Sequence, residues 1–79
     1  MARVLLFGPL ADLAGWRDRQ VDSPFLSALK ARLAADDPDL GAALDGPGVQ
    51  VALDQVIVRG DAPLNAGTEV AFLPAMSGG

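Results

Sequence analysis

Apolar residues gather into two short runs near the ends of the chain, and the pattern between them divides into strands, helices and turns. Ala2 to Phe7 is an apolar-rich run closed by Gly8-Pro9, the length and punctuation of a strand at the middle of a sheet. Leu10 to Ala14 is predicted to form a helical turn before Gly15, and Arg17 to Asp22 reads as a polar edge strand with Val21 pointing inward. Together they predict a hairpin. Ser23 offers an N-cap hydroxyl with Pro24 at the first helical position, and Phe25, Leu26, Leu29 and Leu33 recur at helical spacing. This principal helix is predicted to end near Asp36-Asp37, because Pro38 disfavours helical geometry in the residue before it. Asp37-Pro38 then starts a short helix through Leu44, with Leu40 and Leu44 four residues apart on one face.

A turn cluster over Asp45 to Gly48 leads into two β-branched runs, Val49 to Leu53 and Val56 to Val58, around Asp54-Gln55. Gly60 to Gly67 is a loop, and Glu69 to Leu73 is a final strand stopped by Pro74. This order predicts an α+β domain over residues 1–73: a mixed sheet of about five strands with one main helix packed on one face. The β-grasp, or ubiquitin-like, fold is of this kind, with the first and last strands side by side at the centre. Alternation places Val4, Leu6, Val70 and Phe72 on one face of that sheet and Leu5, Phe7, Ala71 and Leu73 on the other. One helix covers one face. Phe7 and Leu73, joined by Ile57, are therefore expected to form an exposed docking patch; the alternative is a second layer of core beneath the loops.

Composition narrows the chemistry. The chain of 79 residues has neither Cys nor His, so it has no disulfide, no thiolate ligand or nucleophile, and no imidazole base. A net charge of -4 repels phosphate backbones and anionic lipid, so neither nucleic acid nor membrane is an expected partner. The short apolar start is neither a signal sequence nor a membrane span, which makes a cytoplasmic location the expectation. Gly8, Gly15 and Gly67 lack the pattern of a phosphate-binding loop and read as turns. Asp36, Asp37 and Asp39 lack the spacing of a Ca²⁺ loop and read as helix-end charges, so no metal site is expected. Trp16, beside Arg17, reads as a rim residue closing the first hairpin rather than a ligand platform.

The tail, residues 74–79, ends in Ser77-Gly78-Gly79 and, if extended, reaches ~20 Å at ~3.3 Å per residue. Of its side chains only Met76 has much to bury. Two residues without Cβ make the narrowest possible thread and enter a tunnel in backbone conformations other residues do not adopt. An α-carboxylate with a pKa of roughly 3.3–3.7 is ionised at neutral pH and is a poor electrophile. A partner has to convert it first into a mixed anhydride with a nucleotide. Sulfur from a donor then displaces AMP, leaving a terminal thiocarboxylate that needs no Cys or His in the carrier itself. Gly79 is the reactive position, with Gly78 and Ser77 threading behind it.

FGPLADLAG at 7–15, VALDQVIV at 51–58 and EVAFLPAMSGG at 69–79 resemble, in order, the motifs of the molybdopterin synthase small subunit. That resemblance spans nearly the whole chain. It implies a non-catalytic β-grasp sulfur carrier, with no bound cofactor, charged by an E1-like adenylyltransferase that uses ATP. The tail would enter the large synthase subunit, within a heterotetramer, and Gly79 would deliver sulfur to cyclic pyranopterin monophosphate in molybdenum cofactor synthesis. Phe7, Ile57, Leu73, Pro74 and Met76 would meet the partners. The chain departs from the family pattern at Asp54, often Asn, at Ala66 and Thr68, where an acidic residue is common, and at Ala75, often a second proline. A carrier for thiamine synthesis or tRNA thiolation shares the same tail, as does a ubiquitin-like modifier joined to lysines. A plain interaction domain with an inert tail is the remaining alternative. Ferredoxins of similar architecture are excluded by the missing cysteines.

Overall fold

The computed structural model describes residues 1–74. The elements follow the order β1 (Ala2–Leu6), α1 (Pro9–Ala14), β2 (Asp18–Val21), α2 (Leu26–Asp36), α3 (Pro38–Leu44), β3 (Gln50–Leu53), β4 (Val56–Val58) and β5 (Glu69–Leu73). The five strands form one sheet in the order β2-β1-β5-β3-β4. Among the described residues only β1 and β5 run parallel, with Val4 opposite Val70 and Leu6 opposite Phe72; the other neighbours are antiparallel. The two most apolar strands thus occupy the centre, as a β-grasp requires.

One core forms on one face. Ala2, Val4, Leu6, Val21, Val70 and Phe72 from the sheet pack with Leu10 and Ala11 of α1, Leu26, Leu29 and Leu33 of α2, and Leu40 and Leu44 of α3. Each fully buried leucine contributes about 1.5–3 kcal/mol through removal of apolar surface from water. The helices also pack closely on each other. A Cβ placed on Gly41 would lie 2.3 Å from the Ala34 Cβ, so this glycine lets α3 approach α2, and a side chain there would force them apart.

The start of α2 differs from the sequence expectation. Phe25, in extended conformation, occupies the N-cap position, and Ser23 donates its hydroxyl to the Phe25 carbonyl at 3.2 Å instead of capping the helix. Phe25 is exposed and pairs with Pro63 in an isolated bridge. The capping group comes from far along the chain: Asp61 accepts the Ser27 backbone N–H and the Ser27 hydroxyl, both at 2.7 Å. The loop around it is tied down too, since Leu26 N–H donates to the Ala62 carbonyl and Leu64 N–H to the Pro24 carbonyl. A carboxylate at a helix N-terminus satisfies open N–H donors and complements the dipole, whichever part of the chain supplies it.

Hydrogen bonds from the Ser27 hydroxyl, then from its backbone, hold the Asp61 carboxyl below its ordinary value of 3.8. Its folded pKa is therefore lower than its unfolded one, so its stabilisation is complete above about 3.8 and is lost as acid titrates the folded carboxylate. Asp61→Ala is expected to lower the melting temperature at neutral pH, with the gap to wild type closing as the pH falls below that value. A gap that persists in acid would show that Asp61 acts through something other than its charge.

Asp37 does cap α3, accepting Leu40 N–H at 3.2 Å. Asp36 pairs with Arg19 at 3.6 Å. Between β3 and β4, Asp54 and Gln55 both have positive φ, 48° and 72°, as a two-residue hairpin turn compatible with strand twist requires. Asp54 Oδ1 accepts the Glu69 backbone N–H at 2.9 Å and so fixes that turn to the start of β5.

Candidate docking face and tail exit

Among the described residues, no helix or strand covers the opposite face of the sheet. Strand registry lines up Leu5, Ala71, Ala52 and Ile57 across β1, β5, β3 and β4. None of these four joins the main core, nor do Phe7 and Leu73. Phe7 is 43% and Ile57 46% exposed, while Leu5 and Leu73 are half-buried. Ala52 and Ala71 are only 6% and 7% exposed: their short side chains sit low between larger neighbours and make a shallow floor. Among the described residues, no second layer of core covers Phe7 and Ile57.

The sequence expectation places Phe7, Ile57 and Leu73 on one face, and the structure leaves them together on the uncovered side. It adds Leu5, Ala71 and Ala52 as the connecting floor. Ala52 escapes notice in the sequence because alanine is a weak apolar signal; the alternation of Val51, Ala52 and Leu53 is the pattern that assigns it to this side.

Charge on this face lies at the Arg3 and Glu69 end and on the edge strand β2, where Asp18 stands opposite Leu5. Arg3 and Asp18 form a forked pair, with Arg3 Nη2 2.6 Å and Arg3 Nε 3.0 Å from Asp18 Oδ2, and Glu69 stands opposite Arg3 across β1 and β5. The hydrogen bond from Arg3 holds the Asp18 carboxyl below its ordinary value, and both side chains are about half exposed. Following β1 and β5 towards their C-terminal ends, the open face passes from Arg3 and Glu69 through Leu5 and Ala71 to Phe7 and Leu73. The apolar end is the one from which the tail departs.

Pro74, the last residue described, is half-buried beside Gly8. Ser77, Gly78, Gly79 and Met76 lie outside the described residues. Trp16 packs against the core at its rim, with the Arg19 guanidinium carbon 5.6 Å from its ring centroid, as expected of a residue closing the hairpin. Among the described residues no group of three acidic, His or Cys side chains is placed to hold a metal ion, and no helix is long and apolar enough to cross a membrane.

The pattern of the ThiS family matches residues 4–79. The chain belongs to that family. A relative from Escherichia coli (strain K12), the molybdopterin synthase sulfur carrier subunit, is 36% identical over the whole of both chains. Among solved structures, SAMP1 from Haloferax volcanii superposes with a TM-score of 0.85 at 25% identity, covering 99% of this chain and 98% of that one. The small archaeal modifier protein 1 of Methanosarcina acetivorans superposes with a TM-score of 0.87 at 19% identity, over 99% and 95% of the two chains, a likeness of fold. This ThiS-family chain is accordingly a ubiquitin-like protein of the sulfur-carrier type, and the resemblance to the molybdopterin synthase small subunit seen in the sequence agrees with its E. coli relative.

Proposed function

We propose that this chain is the sulfur-donor subunit of a molybdopterin synthase, a reagent rather than an enzyme. The supporting observation is the full-length 36% identity to the E. coli carrier subunit, combined with a terminal Gly78-Gly79 in a chain without Cys or His. The Gly79 carboxylate attacks the α-phosphorus of ATP on an E1-like adenylyltransferase, and pyrophosphate leaves. Sulfide-level sulfur then attacks the acyl carbon, the C–O bond to AMP breaks, AMP leaves and the thiocarboxylate remains; where the donor is a persulfide, the acyl disulfide first formed is cleaved by a thiol that supplies the two electrons. Gly78 and Ser77 thread the tail into the large subunit, where sulfur passes to cyclic pyranopterin monophosphate. Phe7, Ile57, Leu73, Pro74 and Met76 meet the partners, and the uncovered sheet face is used first for the activating enzyme and then for the large subunit.

Phe7→Asp places a charge in the middle of that apolar contact. It is expected to weaken binding to the large subunit about thirtyfold or more, the range of an interface anchor, while the monomer remains folded. Unfolding of the variant would return Phe7 to a core role.

The functional test is to mix the charged chain with the large subunit and cyclic pyranopterin monophosphate. Formation of the dithiolene product with loss of the thiocarboxylate supports the reading; a charged chain that yields no product refutes it. A second reading, conjugation to proteins, is favoured by the structural likeness to SAMP1 of H. volcanii. It predicts target lysines that carry the 60–79 segment as a branch in tryptic digests, because Arg59 is the last tryptic site before the tail.

A further inference from the structure

The tail has to leave the sheet in a direction that partners can use, and three features converge where it does so. First, β1 and β5 are parallel and in register, Leu6 opposite Phe72, so Phe7-Gly8 and Leu73-Pro74 leave the sheet side by side. Second, Gly8 is held firmly. Its carbonyl accepts Ala11 N–H at 3.1 Å and Asp12 N–H at 3.2 Å, while Phe7 carbonyl accepts Leu10 N–H at 3.2 Å, and Leu10 and Ala11 are buried anchors of α1. Its backbone, φ 54° and ψ -130°, is one that residues with a Cβ avoid. Third, a Cβ on Gly8 would lie 3.5 Å from Pro74 Cγ. A methyl at this position would therefore just touch the proline ring, and a longer side chain directed that way would compete for its place.

Proline adds its own restriction. Its ring fixes φ at about -65° and disfavours helical geometry at Leu73, which keeps the final strand extended up to the point of exit. We propose that Gly8 and Pro74 form a positioning pair: the bare glycine backbone is the seat, the proline ring rests on it, and the pair sets the direction in which the tail leaves the sheet. This rests on the sulfur-carrier reading and assigns it two residues that act through the tail, remote from the reacting carboxyl. The tail is thereby aimed before a partner is met, and the freedom lost on threading is smaller.

The test compares Gly8→Ala, Gly8→Leu, Pro74→Gly and the double variant Gly8→Leu/Pro74→Gly in the full chain, with ATP, a sulfur source and the E1-like enzyme. Pro74→Gly is expected to raise the KM for the carrier about fivefold to thirtyfold, the factor for freeing one residue's backbone. Gly8→Ala and Gly8→Leu share the same backbone strain and lose similar stability, but only leucine displaces the ring, so Gly8→Leu should raise KM well beyond Gly8→Ala. In the Pro74→Gly background the same leucine should add little, which marks coupling between neighbours. A purely structural Gly8 predicts equal KM values for both single variants, and that result overturns the pairing.

A readout independent of catalysis uses Ser77→Cys carrying a nitroxide. Line broadening should favour amides on one side of the exit in the parent and spread evenly around it after Pro74→Gly. An unchanged broadening pattern overturns the inference even if Gly8→Leu fails to fold. A parent chain that is never charged refutes the carrier reading itself, whereas a charged parent with a Pro74→Gly variant of unchanged KM refutes only the positioning pair.

Discussion

Deleting Gly79, or adding one alanine after it, is expected to reduce sulfur charging about a hundredfold or more while leaving the melting temperature unchanged. The reacting carboxyl is the end of the backbone itself. An added residue carries it ~3.3 Å further along the thread and introduces a Cβ, and misplacement by ~1 Å is enough to cost ~100-fold in a positioned reaction. Stability is a separate matter, because β5 ends at Leu73 and, among the described residues, the core cluster contains nothing beyond Phe72. Intact mass before and after incubation with the activating system checks the first part, and thermal unfolding the second. Full charging of either variant would remove Gly79 from the chemistry.

Phe72→Ala is expected to have the largest effect on folding, about 3–5 kcal/mol for a buried aromatic truncated to a methyl. Phe72 is 0% exposed and stands on β5 between Leu6 of β1 and Val51 of β3, where the sheet meets the helices. For a small domain whose total stability lies in the marginal range of roughly 5–15 kcal/mol, the urea midpoint should fall by at least about 1 M. Phe7 on the opposite face provides the contrast: truncating it to alanine should change the midpoint little. A reversed order would mean that the two faces have been assigned the wrong way round.

That assignment was legible because it depends on local periodicity. Alternation along Val4-Leu5-Leu6-Phe7 and Val70-Ala71-Phe72-Leu73 identifies the two faces, and a single principal helix leaves one of them uncovered. The Asp54-Gln55 turn and the Asp37-Pro38 helix start were legible for the same reason, since the signal and the structure it specifies lie within a few residues. Long-range contacts were less so. Ser23-Pro24 carries a good local cap signal, yet Asp61, 34 residues beyond Ser27, supplies the oxygen that α2 uses, and the helix begins at Leu26.

Glycine shows the same limit. Gly15 and Gly67 are turns in the sequence and in the structure, both with φ above 80°. Gly41 sits within the short-helix segment and gives no local sign that Ala34 will press against it. Gly8 reads as a strand terminator, and its contact with Pro74, distant in sequence, emerges only once β1 and β5 are paired. On the docking face, Ala52 and Ala71 lack bulk, and it is strand registry that joins them to Leu5 and Ile57 as one floor.

The central claim is tested most directly by the intact mass of the wild-type chain after incubation with ATP, a sulfur source and its E1-like partner. The account predicts a gain equal to exchanging one oxygen for sulfur, located by fragmentation at Gly79 and dependent on ATP. A mass that stays unchanged while the same partner charges another carrier would contradict it.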